Sequence, residues 1–102
     1  MIKMTKLYWT AHARAKMAFY KLSPMRVRRV LHSPKRIEEG VAPKTVAMMQ
    51  AAQSHEIWVM FQDGPQGRTI ISAWRYPGVT KPRSEISRKL MRQEYNEFMS
   101  KK

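Results

Sequence analysis

No cysteine occurs in the 102 residues. That absence excludes disulfides and cysteine-ligated zinc and leaves a cytoplasmic home as the default. Acids are scarce: seven Asp and Glu stand against twenty Lys and Arg, a formal charge of +13. Such a charge repels itself, and a small domain carries it mainly where a polyanion regularly offsets it. Apart from Glu38 and Glu39 the acids are scattered, so the converging carboxylates of two-metal nuclease chemistry are missing. His12, His32 and His55 have no Asp or Cys at ligand spacing, and no metal is implied. GxSxG, P-loop and GxGxxG are absent, which removes the signatures of acyl transfer, nucleotide hydrolysis and dinucleotide chemistry, and no cofactor is implied. The longest apolar runs, such as IWVMF, fall far short of the roughly 20 residues of a membrane span. MIKMTKLYWT lacks the apolar core and cleavage pattern of a secretory signal. Neither a membrane partner nor export is expected.

What is present points to one folded domain over residues 1–102. Apolar residues form 43% of the chain, with three Trp, four Tyr and three Phe, so a disordered basic tail is excluded. KLYWT (6–10) reads as a short strand, with Thr10 as N-cap of a helix whose buried stripe is Ala11, Ala15, Ala18, Phe19 and Leu22. Ser23-Pro24 starts a second helix with Val27, Val30 and Leu31 inward, and Ser33-Pro34 ends it. Residues 35–43 read as a connection around Gly40. Three strand-like runs follow, KTVAMMQA, EIWVMFQ and RTIISAWRY, joined by AQSH and DGPQG. Strict alternation in the last run puts Ile70, Ser72, Trp74 and Tyr76 on one face, and Ile71, Ala73 and Arg75 on the other.

After Pro77-Gly78 and the basic VTKPR, Ser84 caps a last helix to about Met99. Ile86 and Leu90 lie on one side of it and Met91, Tyr95 and Phe98 on another, which leaves a second contact or an exposed stripe. Met17, Met25, Met48, Met49 and Met60 read as core filler. The expected fold is α+β, order β-α-α-β-β-β-α: two N-terminal helices on a four-stranded, mainly antiparallel sheet, with a C-terminal helix.

The chemistry left open runs on cations and hydrogen bonds. In RNA the 2′-hydroxyl attacks the adjacent phosphate once a base takes its proton, a cation stabilises the added charge and an acid protonates the leaving oxygen. His12, Lys16 and Tyr20 share one edge of the first helix. Arg75 and Tyr76 end the last strand, and guanidinium matches phosphate bidentately. His12, Arg75 and Tyr76 are the candidate catalytic residues. Arg14, Lys16, Lys44, Arg68, Lys81 and Arg83 are the cations expected to hold nucleic-acid phosphates. The plainer reading of each is a solvated basic surface, and His32 suits the negative end of its helix.

With its element order, small size and positive charge, the chain resembles the RelE/ParE superfamily of type II toxins. It also resembles a related set of small domains through HARAKM and SPMRVRRVL. The resemblance implies a metal-independent endoribonuclease that cuts messenger RNA, including RNA on the ribosome, and is held inactive by an antitoxin with an acidic or amphipathic segment. It further implies that an arginine on the last strand stabilises the phosphate while a tyrosine or histidine moves protons, and Arg75 and Tyr76 occupy that stretch. The lysines of the family's central strands are not reproduced: Lys44 alone precedes them, and EIWVMF carries no cation. Two alternatives stay open, a non-catalytic ParE-like toxin directed at gyrase and a small RNA- or ribosome-binding module stacking bases on Trp9, Trp58 or Trp74.

Overall fold

A computed structural model describes residues 6–101 of the protein, so the stretch read for a secretory signal lies partly outside them. The bulky residues Leu7–Trp9 form strand β1, and the Thr10 hydroxyl then accepts from the Ala13 amide and starts helix α1, Ala11–Tyr20. Lys21 ends α1 in the left-handed region (φ 57°), and Ser23, accepting from the Arg26 amide, caps α2, Pro24–His32. Four strands follow: β2, Arg36–Glu39; β3, Thr45–Ala52; β4, His55–Gly64; and β5, Gly67–Tyr76. Helix α3, Glu85–Ser100, closes the order with Ser84 as its cap.

Among the described residues the sheet has five strands, not four, in the order β1-β5-β4-β3-β2, with β1 parallel to β5 and the other pairs antiparallel. The added strand is β2, inside the segment expected as a connection. Its one bulky apolar residue, Ile37, is 62% exposed, so the sequence carries little strand signal there. What holds β2 is polar. Arg36 donates to Glu38 Oε2 (2.7 Å) and to Thr80, and its guanidinium lies over the Trp58 ring.

Both faces of the sheet are covered. On one, α1 and α2 bring Ala13, Met17, Leu22, Val27 and Val30 against Ile57, Val59, Phe61, Ile70 and Ala73. On the other, Met91 of α3 packs with Ala47, Met49, Trp58, Met60, Ile71 and Trp74. Strict alternation in β5 fails because one residue is inserted: Phe61 pairs with Ile70, but Met60 pairs with Ser72, leaving Ile71 as a bulge. Ile71 therefore joins Trp74 on the α3 face, while Ile70 shares the opposite face with Ala73.

The stripe expected on α1 is also revised. Ala15, Ala18 and Phe19 are exposed, Phe19 by 75%, and the buried residues are His12, Ala13 and Met17. A helix rich in alanine has no strongly apolar side, so polar contacts decide its rotation. Of the methionines read as core, Met25 is exposed, whereas Met17, Met49 and Met60 are buried.

The β5–α3 linker is fixed by a buried carboxylate. Glu56 accepts from Trp58 Nε1 (3.0 Å), Thr80 Oγ1 (2.8 Å) and the Thr80 amide (3.0 Å). Replacing it strands three donors, so Glu56→Ala is expected to lower stability by about 3 kcal/mol in chemical denaturation. Glu39→Gln, on an exposed side chain, should stay within about 0.5 kcal/mol.

Candidate functional site

Among the described residues β1 pairs only with residues 68–70 of β5, and no described strand lies beside the edge of β5 beyond Ile70. α1 runs along that edge. The Thr10 amide and hydroxyl both donate to Ile70 O, the hydroxyl also reaches Ile71 O, and at the far end Arg75 Nε donates to the Tyr20 carbonyl (2.8 Å). The lengths match: ten helical residues rise about 15 Å, and residues 70–75 of a strand span about 16 Å. Tyr20 O is one of the carbonyls that a helix C-terminus leaves open, and a guanidinium suits its partial negative charge.

Arg75 is thereby fixed at the open end of the sheet, on the α1/α2 face. Its Nη1 lies 2.8 Å from His55 Nε2. Guanidinium can only donate, so Nε2 accepts and the ring of His55 is neutral in this arrangement. Among the described residues two of the five N–H donors of Arg75 are engaged, and Arg75 lines a cavity of about 550 Å³ together with Tyr20, Ser54, His55 and Pro77.

A second guanidinium stands close by. Gln50, whose amide donates to Arg29 O of α2 and to Ser33 O just past its end, accepts from Arg26 Nη1 at 2.6 Å. Gln50, Ile57 and Arg75 form one row across β3, β4 and β5. Burial, together with the charges of Arg29 and Arg75, pushes the Arg26 guanidinium below its usual range. Among the described residues no carboxylate forms an ion pair with Arg26 or Arg75. Like charges held together without a counter-charge make a seat for an anion.

His12 lies elsewhere in this arrangement. It is 3% exposed, and its Nε2 donates to Glu94 Oε1 of α3 at 2.9 Å. Glu94, 4% exposed, also accepts from Ser72 Oγ (2.5 Å) and from Lys16 Nζ (3.0 Å). The edge shared by His12, Lys16 and Tyr20 is therefore real, but its first two members serve the α1–α3 contact. The imidazole beside Arg75 is that of His55. Tyr76 follows Arg75 yet points to the other face, toward α3.

Of the cations expected on nucleic acid, Arg14, Lys44, Lys81 and Arg83 are exposed, and Lys16 is tied to Glu94. Arg68 is held bidentately by Asp63 and lies over Phe61. Lys44 and Arg68 sit at the other end of the sheet, about 23 Å from Arg75 along β5 by strand rise. His12, Glu94 and Glu97 bring possible ligand atoms within 4.8 Å of one another, a cluster the sequence spacing does not reveal. The Lys16 ammonium already supplies its positive charge, and the described contacts engage both Glu94 oxygens.

His55 and Arg26 were not among the residues expected at a site, and Tyr20 was read only as sharing the edge of His12 and Lys16. The available signal was the hairpin register, which puts His55 diagonal to Arg75 once β4 and β5 are paired through Ile57 and Arg75. No family model, curated protein or solved structure matches the chain.

Burial lowers the Lys16 ammonium, but the hydrogen bond and charge of Glu94 outweigh it and hold Lys16 above the ordinary lysine value of 10.5. A raised value means stability that is complete below about pH 10.5 and lost as pH climbs through the folded-state value. Lys16→Met is expected to destabilise the protein by about 2 kcal/mol near pH 8. The gap from wild type should shrink in urea titrations run above pH 10.5.

Proposed function

We propose that the protein binds single-stranded RNA at the Arg75 cavity and cleaves it without a metal, as a toxin-like endoribonuclease restrained by an antitoxin with an acidic or amphipathic segment. The observation that carries the proposal is the Arg75 guanidinium donating to the His55 imidazole at the wall of one cavity, with no carboxylate paired to Arg75 or to the neighbouring Arg26 among the described residues. The charge of +13 and the resemblance to RelE-like toxins favour the same substrate.

A phosphate entering the cavity draws Arg75 Nη1 away from His55 Nε2, which frees that lone pair. His55 then accepts the proton of the 2′-hydroxyl as its oxygen attacks phosphorus. Arg75 stabilises the charge gathering on the phosphate oxygens, and the nearby charge of Arg26 adds to the positive potential there. The bond from phosphorus to the 5′-oxygen breaks, leaving a 2′,3′-cyclic phosphate, and the departing oxygen takes a proton. Tyr20, on the same cavity wall, is the candidate acid. His12 becomes a structural post of the α1–α3 contact, and Tyr76 belongs to the neighbouring cleft.

A second reading, binding without cleavage, is favoured by the single imidazole in the cavity, since acid and base work is ordinarily shared between two groups. Labelled RNA incubated with and without a chelator separates the two. Cleavage is expected to persist in the chelator. Arg75→Ala and His55→Ala should each slow it about a hundredfold or more while weakening RNA binding far less. Parallel loss of binding and cutting in both variants, or no cutting by wild type, would select the binding module. Retention of full activity by His55→Ala would refute the assignment of the base.

A further inference from the structure

Beside the Arg75 cavity lies a cleft of about 480 Å³ between the end of β5 and α3. The two share Tyr20, Arg75 and Pro77, so Arg75 stands on the boundary of both. Their linings differ. The first offers Ser54, His55 and a guanidinium, whereas the second is walled by Trp74, Tyr76, Ile86 and Leu90, with Lys89 and Gln93 on α3.

This cleft also accounts for the second stripe of α3. Met91 enters the core, but Leu90 is only partly buried and Ile86 stays 52% exposed against an open space. Resting on the reading that Arg75 holds an RNA phosphate, we infer that the cleft is a nucleobase subsite, which receives the unstacked base of the nucleotide whose phosphate sits at Arg75. Continuity through Arg75 ties the occupant to that phosphate. The aromatic and aliphatic walls suit the face of a base, and the volume falls within the usual range for small-molecule sites. Gln93 carries an amide that both donates and accepts, the chemistry needed at a base edge. Lys89 supplies a cation for the adjoining phosphate. Glu94, at the inner end, is already matched by Lys16 and His12. A duplex keeps its bases stacked and paired, so the subsite selects single strands.

The probe is a fluorescent 2′-O-methyl oligoribonucleotide, which lacks the nucleophile and stays intact, compared with the same oligomer made abasic, at one fixed salt concentration. Wild type should bind the intact oligomer roughly tenfold or more tightly than the abasic one. Tyr76→Ala should erase that difference and Tyr76→Phe restore it, while Arg75→Ala weakens both oligomers. Gln93 is exposed, so Gln93→Ala leaves the fold untouched and should change the ranking of purine against pyrimidine oligomers. Equal wild-type affinity for intact and abasic oligomers, with Arg75→Ala still weakening both, overturns the subsite and leaves the RNA-binding reading standing. An intact-over-abasic preference that both Tyr76→Ala and Gln93→Ala leave unchanged also overturns it. Failure of both oligomers to bind wild type overturns both readings.

Discussion

Among the described residues no strand lies beside the β5 edge beyond Ile70, and most of what is distinctive in the fold follows from how α1 covers that gap. The helix is pinned at its start by Thr10 and at its end by Arg75, and between them it rolls so that His12 and Lys16 reach α3. Glu94 collects these two with Ser72 of β5, joining three elements at one carboxylate. Breaking such a buried junction strands several partners at once, so α1, β5 and α3 hold their places together. The fixed position of Arg75 is a consequence, because its backbone and its guanidinium both belong to this unit.

The bulge at Ile71 decides which side chains meet. Without it, the turn joining Gly64 and Gly67 would carry its register up the hairpin and set Arg75 opposite Glu56, a carboxylate on the α3 face. With one residue inserted, Arg75 pairs with Ile57 on the α1/α2 face and leans toward His55. A single extra residue thus separates a guanidinium bound by a structural carboxylate from one left open to an anion. Bulges commonly re-aim side chains near functional sites in this way.

This explains what was legible in the sequence and what was not. Local chemistry announced itself: Thr10, Ser23 and Ser84 each cap a helix by accepting an amide three residues on, and Val27 and Val30 enter the core as their spacing indicates. The bulge lacks the glycine or proline that would have marked it, so the faces of the strand up to Ile71 were exchanged. β2 escaped for a similar reason, since it is secured by Arg36, Glu38 and the distant Thr80 and not by its own apolar pattern. His12 looked available because helical spacing shows which residues share an edge but not what packs against it, and Glu94 lies 82 residues away. Arg75 was legible only as a cation at the end of an apolar strand, because its separation from Glu56 depends on the bulge.

The distribution of acids completes the electrostatic logic. Of seven, Glu38, Glu56 and Glu94 are buried and bonded to the linker, the sheet or α1, and Asp63 is held by Arg68. Glu97 meets Gln93, and Glu85 reaches Arg92 only at 4.0 Å on an exposed turn. Glu38, Glu56, Asp63 and Glu94 are thereby committed to structure, the buried three where desolvation makes their partners matter most, while Glu39 and Glu85 stay exposed. Arg26 and Arg75, held by an amide oxygen, a backbone carbonyl and an imidazole, receive geometry without neutralisation. Neutral acceptors orient a guanidinium and leave its charge intact, whereas a carboxylate would have oriented and cancelled it together. Two like charges held at this end of the sheet without a carboxylate repel each other, a repulsion that salt screens and that any bound anion would relieve.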